Sequence, residues 1–176
     1  FHVTGVQTCA LPISHCYRDP RTDIYFEKIK KDLTPEFIYG RTGIQFLFFN
    51  TLYQLAAELN QGRLGEADKF LMLPDLLNKF LCGSNSNEIT NASTTQLLNA
   101  KTREWDWELI DRLSLPRKVF PPLHQPGSKL GVIQGQGELD GIPVIAVGSH
   151  DTASAVAGIP MEKSKDRKST RLNSSH

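Results

Sequence analysis

Gly148-Ser149-His150-Asp151-Thr152-Ala153-Ser154-Ala155 is the stretch on which the reading of the fold turns. It follows Ile142-Pro143-Val144-Ile145-Ala146-Val147, an apolar run that reads as a buried strand. The small residues at 153–158 read as the close-packed start of a helix. A His-Asp-Thr triplet thus stands where a strand ends and a helix begins. In open α/β sheets, ligands collect at the carboxyl ends of strands. A carboxylate there can meet a substrate hydroxyl, and the backbone N–H groups of a helix start can meet an anion. The same pattern fits a plainer role, because Ser149 or Asp151 can cap the following helix. Both readings stand at this level.

The termini are set apart before any fold argument. Residues 166–176, read backwards against residues 3–13, can be written pair by pair as codons and their reverse complements. His176 (CAC) pairs with Val3 (GTG), Asn173 (AAC) with Val6 (GTT), Thr170 (ACA) with Cys9 (TGT) and Asp166 (GAT) with Ile13 (ATC). We expect residues 1–13 and 166–176 to be one adapter-like DNA stretch translated from opposite strands, leaving 14–165 as natural sequence. Setting aside Arg167, Lys168, Arg171 and Asp166 moves the formal charge from +1 to −1. That balance lacks the basic stripe of a nucleic-acid binder. With 39% hydrophobic and 22% charged residues, the chain has the composition of a globular domain. No apolar run approaches the ~20 residues of a membrane span. Cys16 and Cys82 have no metal-ligand or disulfide spacing, so a reducing cytoplasm is the expected compartment.

Along the chain, residues 24–33 read as a charged helix and Gly40-Arg41-Thr42-Gly43 as a turn. Phe49, Leu52, Tyr53, Ala56 and Leu59 recur at helical spacing, and Gln61-Gly62 ends that helix. Leu73, Leu76, Leu77, Phe80 and Leu81 form a second stripe, with Pro74 early and Gly83 at the stop. Residues 84–91 read as polar loop, and Trp107, Ile110 and Leu113 as a third, shorter helix. The Pro-rich residues 116–127 read as an extended surface connection. Residues 130–133 read as a strand and 135–141 as a turn, whose glycines match neither a dinucleotide fingerprint nor a Walker A loop. The mixture predicts α/β, with too few strands for a free-standing sheet. The sheet is therefore expected to be incomplete, with open edges and uncovered apolar faces.

Phe46, Phe48 and Phe49 can line a sugar pocket, though helical core packing is the simpler reading. Tyr17-Arg18-Asp19 with Arg21 can bind an anion or form a solvated loop with local ion pairs. Neither alternative is decided by spacing.

Several motifs in order carry a family resemblance. They are Asp19-Pro20-Arg21-Thr22, Arg41 to Phe46 running on to Asn50-Thr51-Leu52-Tyr53-Gln54-Leu55, Leu73-Pro74-Asp75, Thr90 to Leu97, and Ser149 to Ala155. Together they resemble the amino-terminal domain of the FGGY carbohydrate kinases, over nearly all of residues 16–160. Gly43 to Leu47, Phe49 to Leu55 and Ser149 to Val156 are most similar in wording to the members that act on L-rhamnulose.

The resemblance implies part of a ribonuclease-H-like, actin-type ATPase domain, an incomplete sheet with flanking helices. It implies a parent enzyme that uses ATP and Mg²⁺ to phosphorylate the 1-hydroxyl of L-rhamnulose, with a small sugar as its partner and neither nucleic acid nor membrane. A kinase for another deoxy-ketose such as L-fuculose, or a non-catalytic sugar-binding relative, are the alternatives. Asp151 falls on the family's catalytic base, and His150, Asp151 and Thr152 on its substrate contacts. No cofactor-binding or metal-ligating residue is carried over. The family's phosphate-binding loop and carboxy-terminal domain have no counterpart in these residues, so the segment alone is expected to be inactive.

Overall fold

The computed structural model describes residues 19–160. The two adapter-like ends, Cys16, Tyr17 and Arg18 lie outside the described residues. The chain opens with a 3-10 turn, Pro20–Thr22, capped by Asp19, whose Oδ1 accepts from the Arg21 N–H at 2.8 Å. Helix α1 (Asp23–Leu33) follows, in register with the 24–33 reading. Helix α2 (Pro35–Thr42) corrects the sequence reading, which had Gly40 to Gly43 as a turn. Thr34 starts α2 by accepting from the Phe37 N–H, and Pro35 suits the first turn. The true turn is Gly43 alone, at φ 65°, a left-handed C-cap that glycine takes without strain.

Helices α3 (Thr51–Asn60) and α4 (Leu73–Cys82) lie where the apolar spacing predicts them. Their environments differ. Helix α3 buries Leu52, Tyr53, Leu55 and Ala57 in the main core. Helix α4 leaves Leu73, Leu77 and Phe80 exposed, so its stripe is largely uncovered, as the open-face expectation had it. The only position of α4 that is buried is a charged one, Asp75.

Residues 84–91 are not a plain loop. They contain strand β1 (Asn87–Glu88) and the start of helix α5 (Ile89–Ala92). Helix α6 (Trp107–Arg112) matches the third stripe, but its Trp107 is exposed while Trp105, just outside it, is buried. The Trp105 indole N–H donates to the Pro121 carbonyl at 2.7 Å, and its ring stands edge-on to Phe70 and Phe120. Residues 116–127 are therefore a surface connection only in part, exposed at 117–118, 122 and 125–127. Val119, Phe120 and Pro121 are buried, and strand β2 (Leu123–His124) pairs in parallel with β1. Proline content misled in part, because Pro121 lies in buried chain while Pro122 and Pro126 are exposed.

Strands β3 (Lys129–Val132) and β4 (Pro143–Ile145) form an antiparallel hairpin with a bulge between Lys129 and Gly131. Gly131 is required by a close approach: a Cβ there would lie 3.1 Å from Cys82 Cβ and 3.2 Å from the Cys82 carbonyl oxygen. The run at 142–147 is not buried throughout. Val144 and Ala146 point inward, whereas Ile145 and Val147 are exposed, the alternation of a one-sided strand, and Ile142 just before the strand is exposed as well. Helix α7 (Asp151–Gly158) ends the described chain and buries none of its residues, against the close-packed start expected from its small side chains. Two two-stranded sheets beside a helical body make this an α/β structure with an incomplete sheet.

Candidate active site

The hairpin strand β4 delivers the chain to His150, which occupies the N-cap position of α7. Its side chain makes no capping hydrogen bond. Asp151 is the first helical residue, with its side chain 95% exposed. Asp151 Oδ1 accepts from the Thr152 N–H at 2.5 Å and from the Thr152 hydroxyl at 3.1 Å. The Ser149 hydroxyl is used elsewhere. The plain capping role therefore falls to neither Ser149 nor Asp151. Asp151 sits in the first turn, where the helix dipole favours the ionised carboxylate. The imidazole Nε2 of His150 lies 3.8 Å from Asp151 Oδ1.

A cavity of about 600 Å³ opens beside this triplet. One wall is His150, Asp151 and Thr152; the others come from Ile44 to Gln54, Met72, Ser93 and Thr94. Three stretches singled out in the sequence thus meet around one space. Among the aromatics, Phe49 lines the cavity, Phe46 packs on the core and Phe48 is exposed. None of the three lies in a helix, so the helical-packing expectation is corrected.

The residues at 44–50 form an irregular wall held from behind. The Asn50 side-chain amide donates to the Gln45 carbonyl at 2.9 Å and to Gln96 Oε1 at 3.1 Å. Gln96 in turn donates to the Ile44 carbonyl at 3.1 Å. Because Asn50 is committed to this wall, it starts α3 without a side-chain cap. Gln96 is fully buried at φ 63°, an uncommon conformation for a non-glycine residue. Its two amide bonds offset that strain.

A second brace involves Glu88, which sequence reasoning left inside a polar loop. Glu88 Oε2 accepts from the Ser149 N–H at 3.1 Å and the Ser149 hydroxyl at 3.0 Å. It also accepts from the Thr90 hydroxyl and from the Asn91 N–H. Burial pushes this carboxyl up, but the bonds from Thr90, Ser149 and Asn91 outweigh it and hold it below the ordinary glutamate range. Behind Glu88, Asp75 Oδ2 accepts the Glu88 N–H at 3.1 Å. No spacing rule could have found Glu88, since glutamate is not a favoured helix cap and its partner lies 61 residues away.

Arg21, 14% exposed, lies 3.5 Å from Glu58 of α3 and 4.0 Å from Asp19, so it pairs with carboxylates, one of them across the fold, and does not sit in a solvated loop. Residues 137–139 form a 3-10 turn, as the turn reading required. Among the described residues there is no cluster of three or more His, Cys, Asp or Glu that could hold a metal ion. No helix among them is long and apolar enough to cross a membrane.

Comparison with known proteins bears on this arrangement. Residues 9–158 match the model of the FGGY family of carbohydrate kinases, N-terminal domain. A rhamnulokinase of Mannheimia succiniciproducens is 45% identical over 150 residues, covering 84% of this chain and 30% of the relative. A rhamnulokinase of Bacillus subtilis is 44% identical over 148 residues, covering 82% and 30%. The chain thus spans about three-tenths of the length of the curated relatives it matches. Among solved structures, a ligand-bound xylulose kinase from Lactobacillus acidophilus superposes with a TM-score of 0.70 at 23% identity, over 81% of this chain and 31% of that one. A glycerol kinase from Plasmodium falciparum with ADP gives 0.69 at 16% identity, over 80% and 30%. These two likenesses concern the fold, which is that of the FGGY sugar kinases. By the family match and its extent, the chain belongs to the FGGY family of carbohydrate kinases, within their N-terminal domain.

Proposed function

We propose that this segment is the sugar-side part of an ATP-dependent kinase that phosphorylates L-rhamnulose at its 1-hydroxyl. The observation that carries the reading is the cavity in which Asp151, His150 and Thr152 face the wall at 44–54. The identity of 41% to 46% with relatives named rhamnulokinase supports the choice of sugar.

In this reading Asp151 takes the proton of the 1-hydroxyl while that oxygen forms its bond to the γ-phosphoryl group and the bond to ADP breaks. Phosphoryl transfer runs through a loose transition state, so positioning and charge neutralisation carry most of the catalysis. An ordinary carboxylate is base enough, because the proton leaves late. His150 supplies a hydrogen bond to a second sugar oxygen, and Thr152 a hydroxyl at the cavity wall. ATP, when bound, supplies the phosphoryl group, with Mg²⁺ on its phosphates. Among the described residues no cluster of three or more His, Cys, Asp or Glu could hold that ion. A cytoplasmic site of action suits a sugar catabolic kinase.

The test is ATP-dependent product formation by an intact kinase carrying this segment, with L-rhamnulose and L-fuculose compared. Preference for L-rhamnulose is expected. Preference for L-fuculose would move the reading to another deoxy-ketose, and no transfer to any ketose would leave a sugar-binding relative. The isolated segment is expected to phosphorylate neither.

A further inference from the structure

We propose that Glu88 is a positioning residue whose buried carboxylate fixes the Ser149–Thr152 junction and thereby aims Asp151 at the sugar hydroxyl. This rests on the kinase reading above and deepens it.

The argument starts from what does not hold the junction. Helix α7 buries none of its residues fully, with only Ala153 and Val156 half-buried, so its packing alone holds Asp151 weakly. Upstream, Val147 is exposed, and only Val144 and Ala146 anchor the strand. The next contacts along the chain are polar: the Ser154 hydroxyl donates to the Gly148 carbonyl at 2.7 Å within the junction, and the others lead to Glu88. Glu88 Oε2 holds the Ser149 N–H and hydroxyl, and the Thr90 hydroxyl reaches the His150 N–H at 3.4 Å. Glu88 also holds that Thr90 hydroxyl and accepts from the Thr90 N–H at 2.8 Å. The backbone N–H groups of two successive residues before Asp151 are thus fixed directly by, or at one remove from, a side chain that is 1% exposed.

The support behind Glu88 is equally defined. Its backbone pairs with His124 in the β1–β2 ladder, and its N–H is bound by Asp75 of α4. The carboxylate therefore has little freedom to follow the junction if the junction moves. The groups that meet its oxygens are donors: Thr90, Asn91 and Ser149 between them present three N–H groups and two hydroxyls. A carboxylate accepts at both oxygens, which an amide cannot do. Glutamine at this position keeps one neutral oxygen for the four donors on Oε2 and turns its NH₂ onto the Thr90 N–H, so the bonds to Ser149 lose their charge assistance and weaken.

The experiment uses an intact kinase carrying this segment. Glu88→Gln is expected to lower kcat on L-rhamnulose by about 10- to 100-fold, the scale of a small misplacement of a reacting group, with the KM for ATP unchanged. Asp111→Asn, on a surface ion pair far from the cavity, should keep the unsubstituted kcat. Amide hydrogen exchange at Ser149 and His150 reads the brace without any substrate, and should speed up in Glu88→Gln. Should that variant fail to fold, Ser149→Ala cuts only the hydroxyl bond and should lower kcat several-fold with the fold intact. Unchanged exchange in Glu88→Gln, or unchanged kcat in every folded variant, overturns the proposal. Faster exchange in a protein that phosphorylates no ketose would remove the kinase reading and leave the brace standing.

Discussion

Arg41 Nε donates to both carboxylate oxygens of Asp106, at 2.9 and 2.8 Å, across 65 residues of sequence. Asp106 is 2% exposed and also accepts from the Asn99 amide and, as the N-cap of α6, from the Leu109 N–H. Burial pushes this carboxyl up, but the Arg41 guanidinium and these hydrogen bonds hold it below the ordinary aspartate range. Removing Asp106 leaves the Asn99 amide and the Leu109 N–H without their buried acceptor, while Arg41, 28% exposed, keeps Glu108. Asp106→Ala should therefore destabilise the fold by about 3 kcal/mol, and Asp106→Asn by about 2 kcal/mol, as charge-assisted bonds are lost. Urea unfolding midpoints measure both. A change under about half a kcal/mol in Asp106→Ala, the usual range for surface positions, would sink this account.

The same group sets an acid limb. A carboxyl whose folded pKa is lowered contributes stability that is fully present above its unfolded value. That contribution is lost as pH falls through the lowered folded value. Asp106, lowered from 3.8, and Glu88, lowered from 4.5, both act in this sense. The midpoint difference between the unsubstituted protein and Asp106→Asn should hold constant above pH ~5 and shrink progressively below ~4. A difference independent of pH down to ~2 would contradict the assignment.

Asp75 should behave in the opposite sense. Burial raises its carboxyl, and the nearby Glu88 carboxylate adds to the rise, against lowering by the Glu88 N–H and His124. A raised carboxyl pKa means the fold is most stable below the unfolded value and loses stability as pH climbs through the folded one. The cost is present in full above that raised folded value. Asp75 Oδ1 is buried 3.7 Å from His124 Nε2, beyond hydrogen-bonding range, while His124 Nδ1 meets the Ser86 hydroxyl at 2.9 Å. Asp75→Asn keeps an oxygen for the Glu88 N–H and offers an N–H toward Nε2. It should raise stability at neutral pH by about 1 kcal/mol, read as a higher urea midpoint. A lower midpoint at pH 7 would show that the charge itself is needed.

Asp151→Asn separates binding from chemistry. In an intact kinase carrying this segment, it should cut kcat by about 10²- to 10⁴-fold, the usual worth of a general base. Sugar affinity by calorimetry should change little, since the amide keeps the size and one acceptor. Near-normal turnover would take the base role away from Asp151.

The parts of the fold legible in the sequence are those written in local spacing. Helices α1, α3, α4 and α6 and the β3–β4 hairpin declare themselves by apolar period and by Pro74, Gly62 and Gly83. Helix α2 was hidden by Gly40, which reads as a turn residue but continues the helix to Thr42. Strands β1 and β2 are two residues each, shorter than any period can reveal. The triplet His150-Asp151-Thr152 was legible as a site through its place after a strand and the motifs around it. Glu88 was not, because its meaning lies in Ser149, which only the folded chain brings near. Asn50 and Gln96 stood out as motif residues, yet their bond to one another has no sequence signature.

The bond from Glu88 to Ser149 also has a kinetic side. It closes a loop of 61 residues, as the Asn50–Gln96 and Arg41–Asp106 bonds close loops of 46 and 65. Contacts this distant in sequence form slowly, because the entropy of closing the loop is lost before the contact rewards it. The helices can form from neighbouring residues, whereas the cavity wall and the junction carrying Asp151 wait for the whole body to assemble. During synthesis on the ribosome, the site is therefore among the last parts of this segment to exist, and a nascent chain that has not yet released Ser149 has helices but nothing to hold a sugar.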